Sequence, residues 1–228
     1  MHKSAIFQVQ WVKLTFRSAS LRASYFANNK SVNYKSSMLV LASASPRRQE
    51  LLRNAGIDFI VRPADVNEDL LPNEEPDDYV KRLANAKAQA VWKSLRQTSD
   101  NGVVTLVLGA DTTVIVDHHI LAKPVDAADA DRMLRLLSGR THLVSTGVCL
   151  TGEGVEDVRC ETTRVTFEPL SDSDIEMYVA HGEPMDKAGA YAIQGIASRW
   201  ISRIEGCYFS VVGLPVPLVC RMLRERGA

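Results

Sequence analysis

The chain has 228 residues, of which 46% are hydrophobic and 24% are charged, as expected for one globular domain or for one domain with two lobes. No uninterrupted apolar run approaches the ~20 residues that a membrane span needs, so we predict no membrane partner. The cysteines form no Cys-x-x-Cys pair and the histidines form no cluster, which disfavours a zinc site and a disulfide framework and favours a reducing compartment.

Charge is distributed unevenly along the chain. The net charge is zero, but residues 1–37 hold six of the 27 cations and none of the 27 acids, so residues 38–228 are acidic overall. An acidic body is not expected to bind nucleic acid, although a local basic cleft in it can hold a small anion. The serine-rich residues 1–37 are either a transit-like organellar segment or a leader before a true start at Met38. We favour the leader, and hence a cytoplasmic protein.

The first ordered motif is LVLASASPRRQE, residues 39–50. Its first four residues predict a buried strand, Ser45 can cap the following helix, and Pro46 suits the first helical position. The N–H groups of that helix start would face the carboxyl edge of the strand, with Arg47 and Arg48 adding cationic donors. The motif therefore predicts a phosphate site, with an ordinary serine-capped helix start as the alternative.

A second strand is predicted at 59–62, and an acidic, proline-punctuated loop follows it. Glu68 lies in this loop. Residues 77–96 have helical periodicity, and Lys87 falls on the apolar stripe of that helix. From periodicity alone, Lys87 either extends its ammonium out to solvent or points into a polar cleft, and the first is favoured. The apolar members of the stripe are Val80, Leu83, Ala84, Val91 and Leu95.

Residues 105–117 are the most strand-like run in the chain, and Asp111 interrupts its apolar pattern. A carboxylate between two apolar β-rich segments is costly to bury unless it is paired or bound to a metal. Asp111 is therefore a candidate functional residue, with a turn aspartate between two hairpin strands as the alternative.

Helices and strands alternate along the rest of the chain. The patterns predict helices at 126–137, at 171–180 and at the C-terminus, strands at 142–151, 158–167 and 200–204, and a loop-like then strand-like segment at 183–195. Lys123 stands just before a proline, and the body's histidines, including His142, are expected at the surface. This alternation predicts an α/β fold with a mixed, strongly twisted sheet flanked by helices, forming two lobes around a central cleft.

Together, the unusual residues are those that phosphate-ester chemistry needs. Cations can bind phosphate oxygens, and carboxylates can bind a divalent ion and can orient or deprotonate water. Walker A, Gly-x-Gly-x-x-Gly and Gly-x-Ser-x-Gly motifs are absent from the sequence. Five segments in register resemble the Maf family of nucleoside triphosphate pyrophosphatases, from Met38 almost to the end. They are SASPRRQELL (43–52), GADTTV (109–114) with the Lys-Pro pair at 123–124, LSGRTH (137–142), EPMDKAGAYAIQG (183–195) and SVVGLP (210–215).

The resemblance implies a single catalytic domain over 38–228 with a Maf/inosine-triphosphatase-like fold. It also implies hydrolysis of dTTP and UTP, or of modified pyrimidine nucleotides, to the monophosphate and pyrophosphate with Mg²⁺ or Mn²⁺. Asp111 would be the proton acceptor and, with Glu68, a metal ligand. The substrate-specificity residues implied are Arg47, Thr112 and Gln194, and the phosphate-binding residues are Ser43, Arg48, Lys87 and Lys123.

Several alternatives stay open at this level. The resemblance reverses the interpretation of Lys87 toward the cleft, whereas Arg48 could bind phosphate or form a structural ion pair. The related subfamily acting on 7-methyl-GTP typically lacks the glutamine at 194, so Gln194 favours a pyrimidine base. A 7-methyl-GTP pyrophosphatase and a non-catalytic, nucleotide-sensing division regulator remain the alternative functions, and a homodimer would be unsurprising. Ala192 stands where many relatives have glycine, and Asn67 where a second acid is common.

Overall fold

A computed structural model describes residues 38–98 and 105–227. The predictions about residues 1–37 therefore lie outside the described residues. Seven strands form one mixed sheet in the order β2-β1-β3-β5-β6-β7, with β4 paired to β3. Strands β1, β2 and β3 are parallel, and the remaining pairs are antiparallel. The strands are β1 Met38–Leu41, β2 Ile60–Val61, β3 Thr105–Val116, β4 His119–Leu121, β5 Thr141–Gly152, β6 Val155–Phe167 and β7 Ile201–Glu205.

Helices cover both faces of this sheet, which confirms the predicted mixed α/β architecture. The helices are α1 Pro46–Asn54, α2 Pro76–Thr98, α3 Ala127–Leu137, α4 Asp172–His181, α5 Tyr208–Val212 and α6 Val216–Glu225. Among the described residues, no helix is long and apolar enough to cross a membrane.

Helix α2 packs on one face of the sheet, and the other helices pack on the opposite face. On the face covered by α2, a small hydrophobic cluster includes Ala84, Ala88 and Val107. The opposite face is a larger core to which α1, α3, α4, α5 and α6 contribute. Side chains of a strand alternate between the two faces, so Asp111 on β3 points toward α2 while Thr112 points toward α1 and α5.

Two glycines allow the backbone of α2 to lie directly on the sheet. A Cβ atom on Gly109 of β3 would lie 2.1 Å from the carbonyl oxygen of Ala84, and one on Gly147 of β5 would lie 2.3 Å from that of Val80. Because a larger residue would push α2 away from the sheet, this close approach sets how near Lys87 comes to Asp111.

The structure differs from the sequence-based expectations in two stretches. Strand β3 is continuous through Asp111, so the alternative of a turn aspartate between two hairpin strands is wrong. The segment 183–195 contains no strand and instead forms 3₁₀ turns, Glu183–Asp186 and Ala188–Ala190, with a third at Ile196–Arg199. Its alternating residues are buried against other elements without joining the sheet, and positive φ angles at Gly189 and Ala190 break the extended backbone.

Candidate active site

The turn from β1 into α1 adopts the predicted strand–cap–helix form. The Ser45 side chain accepts a hydrogen bond from the N–H of Arg48, and Pro46 is the first helical residue. Ser43 is buried, and its hydroxyl accepts from the N–H of Ser45 at 3.2 Å and from the Arg48 guanidinium at 3.1 Å. Arg47 lies on the same helix start, with its guanidinium 3.6 Å from the carboxylate of Asp186.

Arg48 joins three segments of the chain. Besides Ser43, its guanidinium donates to the Thr112 hydroxyl at 3.2 Å and to the Gly213 carbonyl at 2.8 Å. Burial, together with the charge of Arg47, lowers the pKa of Arg48, while the nearby Asp111 carboxylate opposes that change. Arginine nevertheless stays protonated at neutral pH, so Arg48 is a fixed positive charge behind the turn. These contacts are hydrogen bonds to neutral oxygens rather than the ion pair considered for Arg48, and its role in phosphate binding stays a prediction.

Lys87 lies between two carboxylates. Its ammonium is 2.6 Å from Asp111 Oδ1 and 2.6 Å from Glu68 Oε1. Only 8% of Lys87 and 8% of Asp111 are exposed to solvent, so this lysine does not extend out to bulk water. Two acids from distant parts of the chain thus converge on one cationic atom, which identifies a compact charged centre between α2 and the sheet.

The loop that carries Glu68 is fastened to α2. Tyr79 donates its hydroxyl hydrogen to the Glu68 carbonyl at 3.0 Å, and Arg82 donates to the Asp69 carbonyl at 3.0 Å while pairing with Glu74. Burial, with the Asp111 and Glu68 charges, raises the pKa of Tyr79 to about 12, so its hydroxyl remains a donor at neutral pH. Sequence reasoning missed Tyr79, although it lies on the Lys87 face of α2, eight residues earlier.

The charge around Glu68 favours its ionised form. Burial raises the pKa of the Glu68 carboxyl, but the hydrogen bond and charge of Lys87, with smaller contributions from Lys123 and Arg48, outweigh burial and lower it. A carboxylate that stays charged in a basic cleft is suited to bind a cation or to orient a polar ligand.

One cavity of about 650 Å³ collects these groups. Its lining includes every site residue predicted from the sequence: Ser43, Arg47, Arg48, Glu68, Lys87, Asp111, Thr112, Lys123 and Gln194. Lys123 and Gln194 are exposed, whereas the Thr112 hydroxyl is engaged with Arg48 and with Thr146. Cations therefore surround a floor that carries two carboxylates, an arrangement complementary to a polyanion with a bound metal ion.

A model of the family described as Maf-like protein matches residues 38–226. The chain belongs to the Maf family. A dTTP/UTP pyrophosphatase of Koribacter versatilis is 56% identical over 189 residues, which cover 83% of this chain and 94% of that protein. A dTTP/UTP pyrophosphatase of Geobacter sp. strain M21 is 51% identical over 199 residues, which cover 85% of this chain and 98% of that protein. These matches confirm the resemblance inferred from the five motifs.

The Maf segment at 183–195 contributes one wall of the cavity. Arg47 reaches across to Asp186 of this segment, and Lys187 pairs with Asp186 and donates to the Glu183 carbonyl. The carboxylate of Asp186 is largely exposed. Burial raises its pKa, but Lys187 and, more weakly, Arg47 outweigh this and lower it, so the group stays ionised beside the two cations.

His142, in the Maf motif LSGRTH, is buried rather than exposed at the surface as predicted. Only 2% of the residue is accessible, and its Nε2 is 2.8 Å from the Tyr191 hydroxyl. The ring packs edge-on against Phe167 and Tyr191, and within the described part of the chain its Nδ1 has no hydrogen-bond partner. On β5, position 142 shares a face with Val144 and Val148, which are buried in the main core, and this spacing of two was the signal for burial.

Burial of His142 predicts acid-sensitive stability. It lowers the pKa of His142 to about 4 from an ordinary 6.5, so between these values the unfolded chain binds a proton that the folded chain does not. Stability should therefore fall as the pH drops below about 6.5, with a loss of about 2 kcal/mol from this residue at pH 5. We expect His142→Gln to remove this part of the slope in denaturant unfolding between pH 5 and 7. The exposed His181→Gln is the control, and equal slopes in both variants would contradict the assignment.

Proposed function

We propose that this Maf protein hydrolyses UTP and dTTP to the monophosphate and pyrophosphate. The observation that carries the proposal is the convergence of Glu68 and Asp111 on Lys87 at the floor of a cavity whose rim is cationic. The relatives named dTTP/UTP pyrophosphatases, at 51–56% identity, support the substrate class.

The triphosphate would bind over the turn that joins β1 to α1. Lys123 and Arg47, which line the cavity, would contact its phosphate oxygens, and Arg48 would add positive charge from behind the turn. Cationic groups that face the leaving oxygens stabilise the charge that builds up as pyrophosphate departs. Because Arg47 pairs with Asp186 before substrate binds, it would exchange that partner for the nucleotide.

Asp111 is proposed as the general base. One of its oxygens accepts from Lys87, and the other would accept from a water molecule aligned with the α–β phosphoanhydride. The water transfers a proton to Asp111 while the water oxygen attacks the α-phosphorus. The α–β phosphoanhydride bond then breaks, and pyrophosphate leaves. A positioned base of this kind contributes about 10²–10⁴-fold to the rate.

The carboxylate pair also suits a hard divalent cation. Glu68 and Asp111 both lie 2.6 Å from the Lys87 ammonium, and carboxylate oxygens are the donors that Mg²⁺ and Mn²⁺ prefer. We propose that these two residues would hold the ion. Bound there, it would neutralise phosphate charge and polarise the bond to be broken.

Gln194 is proposed to recognise the base. Its amide offers N–H donors and a carbonyl acceptor, which match the carbonyl and N–H of the uracil or thymine imide edge. A site built to hydrogen-bond that edge disfavours a base whose groups leave it unpaired. The exposed position of Gln194 in the cavity lining is consistent with contact to a nucleotide.

A nucleotide panel tests this function. The purified chain would be assayed with UTP, dTTP, CTP, GTP and 7-methyl-GTP, with and without Mg²⁺, and pyrophosphate and orthophosphate would be measured separately. We expect metal-dependent pyrophosphate release that is fastest with UTP and dTTP. A preference for 7-methyl-GTP would indicate a purine pyrophosphatase instead. Nucleotide binding without turnover would indicate a non-catalytic nucleotide sensor.

A further inference from the structure

Gln194 lies within a turn whose two ends are held by a connected series of hydrogen bonds. The Gly195 N–H donates to the Ala192 carbonyl at 3.0 Å, which closes a four-residue turn with Gln194 as its third residue. The Gln194 side chain is exposed, so its direction depends on the backbone that carries it. Residues that hold this turn therefore influence where the Gln194 amide lies in the cavity.

Two residues outside the cavity lining hold this turn, namely Tyr178 of α4 and Glu183. The N–H of Ala192 donates to the Tyr178 hydroxyl at 3.2 Å, and that hydroxyl donates to Glu183 Oε1 at 2.8 Å. The same carboxylate accepts from the N–H of Ile196 at 3.1 Å. The chain of bonds thus runs from the residue two before Gln194 to the residue two after it.

The support is rigid and tightly fitted. Tyr178 is completely buried, and its ring packs edge-on against Trp200. A Cβ atom at position 195 would lie 2.1 Å from Glu183 Oε1, so the carboxylate reaches its place only because residue 195 is glycine. Burial, together with the Glu183 and Asp186 charges, raises the pKa of Tyr178, so its hydroxyl stays a donor across the working pH range.

From these contacts we infer that Tyr178 and Glu183 are positioning residues for base selection, acting through the Gln194 turn. The inference rests on the proposed pyrimidine nucleotide substrate. Rotation of an amide by 180° exchanges its donor and acceptor, so a glutamine on a mobile turn can bind uracil and cytosine alike. Uracil offers a carbonyl where cytosine offers an amino group, so selection requires the Gln194 amide to be held at a set distance and angle from the base edge, and a fixed turn beneath it narrows the positions that the side chain can reach.

The test compares kcat and KM for UTP and CTP across matched variants. Tyr178→Phe removes the hydroxyl but keeps the ring, and we expect it to raise KM for UTP and to lower the UTP-to-CTP preference by about tenfold each, the effect of one lost hydrogen bond. The value of kcat should stay within about twofold, since Asp111 and Lys87 lie on other elements. Glu183→Gln keeps an acceptor oxygen and should preserve the preference, whereas Glu183→Ala should lose it.

Ser171→Ala is the matched control. Ser171 caps α4, the helix that carries Tyr178, through a full capping box but does not contact the turn. It should lower the melting temperature and leave the UTP-to-CTP preference unchanged. A similar loss of preference in Ser171→Ala, or an unchanged preference in folded Tyr178→Phe and Glu183→Ala, would overturn the inference. If Tyr178→Phe fails to fold, the Glu183→Gln and Glu183→Ala pair decides.

Equilibrium binding separates this inference from the proposed function. The affinities of the same variants for non-hydrolysable α,β-methylene analogues of UTP and CTP would be measured by calorimetry. Absence of UTP turnover in the unmodified protein would defeat the proposed function, yet the binding preference would still show whether Tyr178 and Glu183 control base selection. A wild-type protein that binds both analogues equally would overturn the inference.

Discussion

Asp111→Asn is expected to lower kcat for UTP by about 10²–10⁴-fold while the chain stays folded. Asparagine is close in size to aspartate but cannot accept a proton from water, and it weakens the contact with Lys87. Rates of pyrophosphate release, with circular dichroism as a check on folding, measure the effect.

Asp117→Asn is the control for this substitution. Asp117 follows β3, the strand that carries Asp111, but it lies at the surface and pairs with Arg140. Its loss should leave kcat within about twofold, because Asp117 does not line the cavity and its exposed ion pair contributes little to stability. Near-normal turnover in Asp111→Asn would remove Asp111 from the proposed role of general base.

Lys87→Met is expected to reduce both stability and activity. Lys87 pairs with Glu68, whose side chain is half exposed, and with Asp111, which is buried. Removing the ammonium leaves the buried Asp111 charge uncompensated, at a cost of about 3–5 kcal/mol. Unfolding in urea at pH 7 measures the loss of stability. Lys81→Met is the control, since Lys81 lies on the same helix but pairs with Asp78 at the surface.

A double variant separates the two effects of losing Lys87. Adding Asp111→Asn to Lys87→Met removes the unpaired buried carboxylate and should recover much of the lost stability, with no recovery of turnover. If Lys87→Met unfolds at the same urea concentration as the unmodified chain, the charge balance described for this centre is wrong.

Local patterns were enough to predict most of the elements that carry the site. Ser45 and Pro46 define the start of α1, and the spacing of apolar residues predicts α2 with Lys87 on its inner face. In these elements the local sequence preference and the tertiary packing favour the same secondary structure.

Other features depend on partners that are distant in sequence. Whether Lys87 extends to solvent or turns inward depends on Asp111 and Glu68, which lie 24 and 19 positions away. The segment 183–195 has an alternating pattern, but its backbone N–H groups donate to the Tyr178 hydroxyl and to the Ala122 carbonyl. Neither of these two residues belongs to a strand. Periodicity reports which side chains are buried, and it does not report which element buries them.

The contacts of Arg48 illustrate the same limit. Its position at a helix start indicates anion binding, yet its guanidinium is engaged by Ser43, Thr112 and Gly213. The last two residues are brought to the turn only when β3 and α5 assemble around it. The residues that the family resemblance implies all line one cavity, and their individual roles stay predictions.

Phosphorus-31 NMR of UTP hydrolysis tests the central claim most directly. We predict that, with Mg²⁺ present, UMP and pyrophosphate appear in equal amounts as UTP is consumed, and that Asp111→Asn stops both signals. UDP and orthophosphate as the products, or unchanged UMP and pyrophosphate signals with the Asp111→Asn protein, would contradict the account.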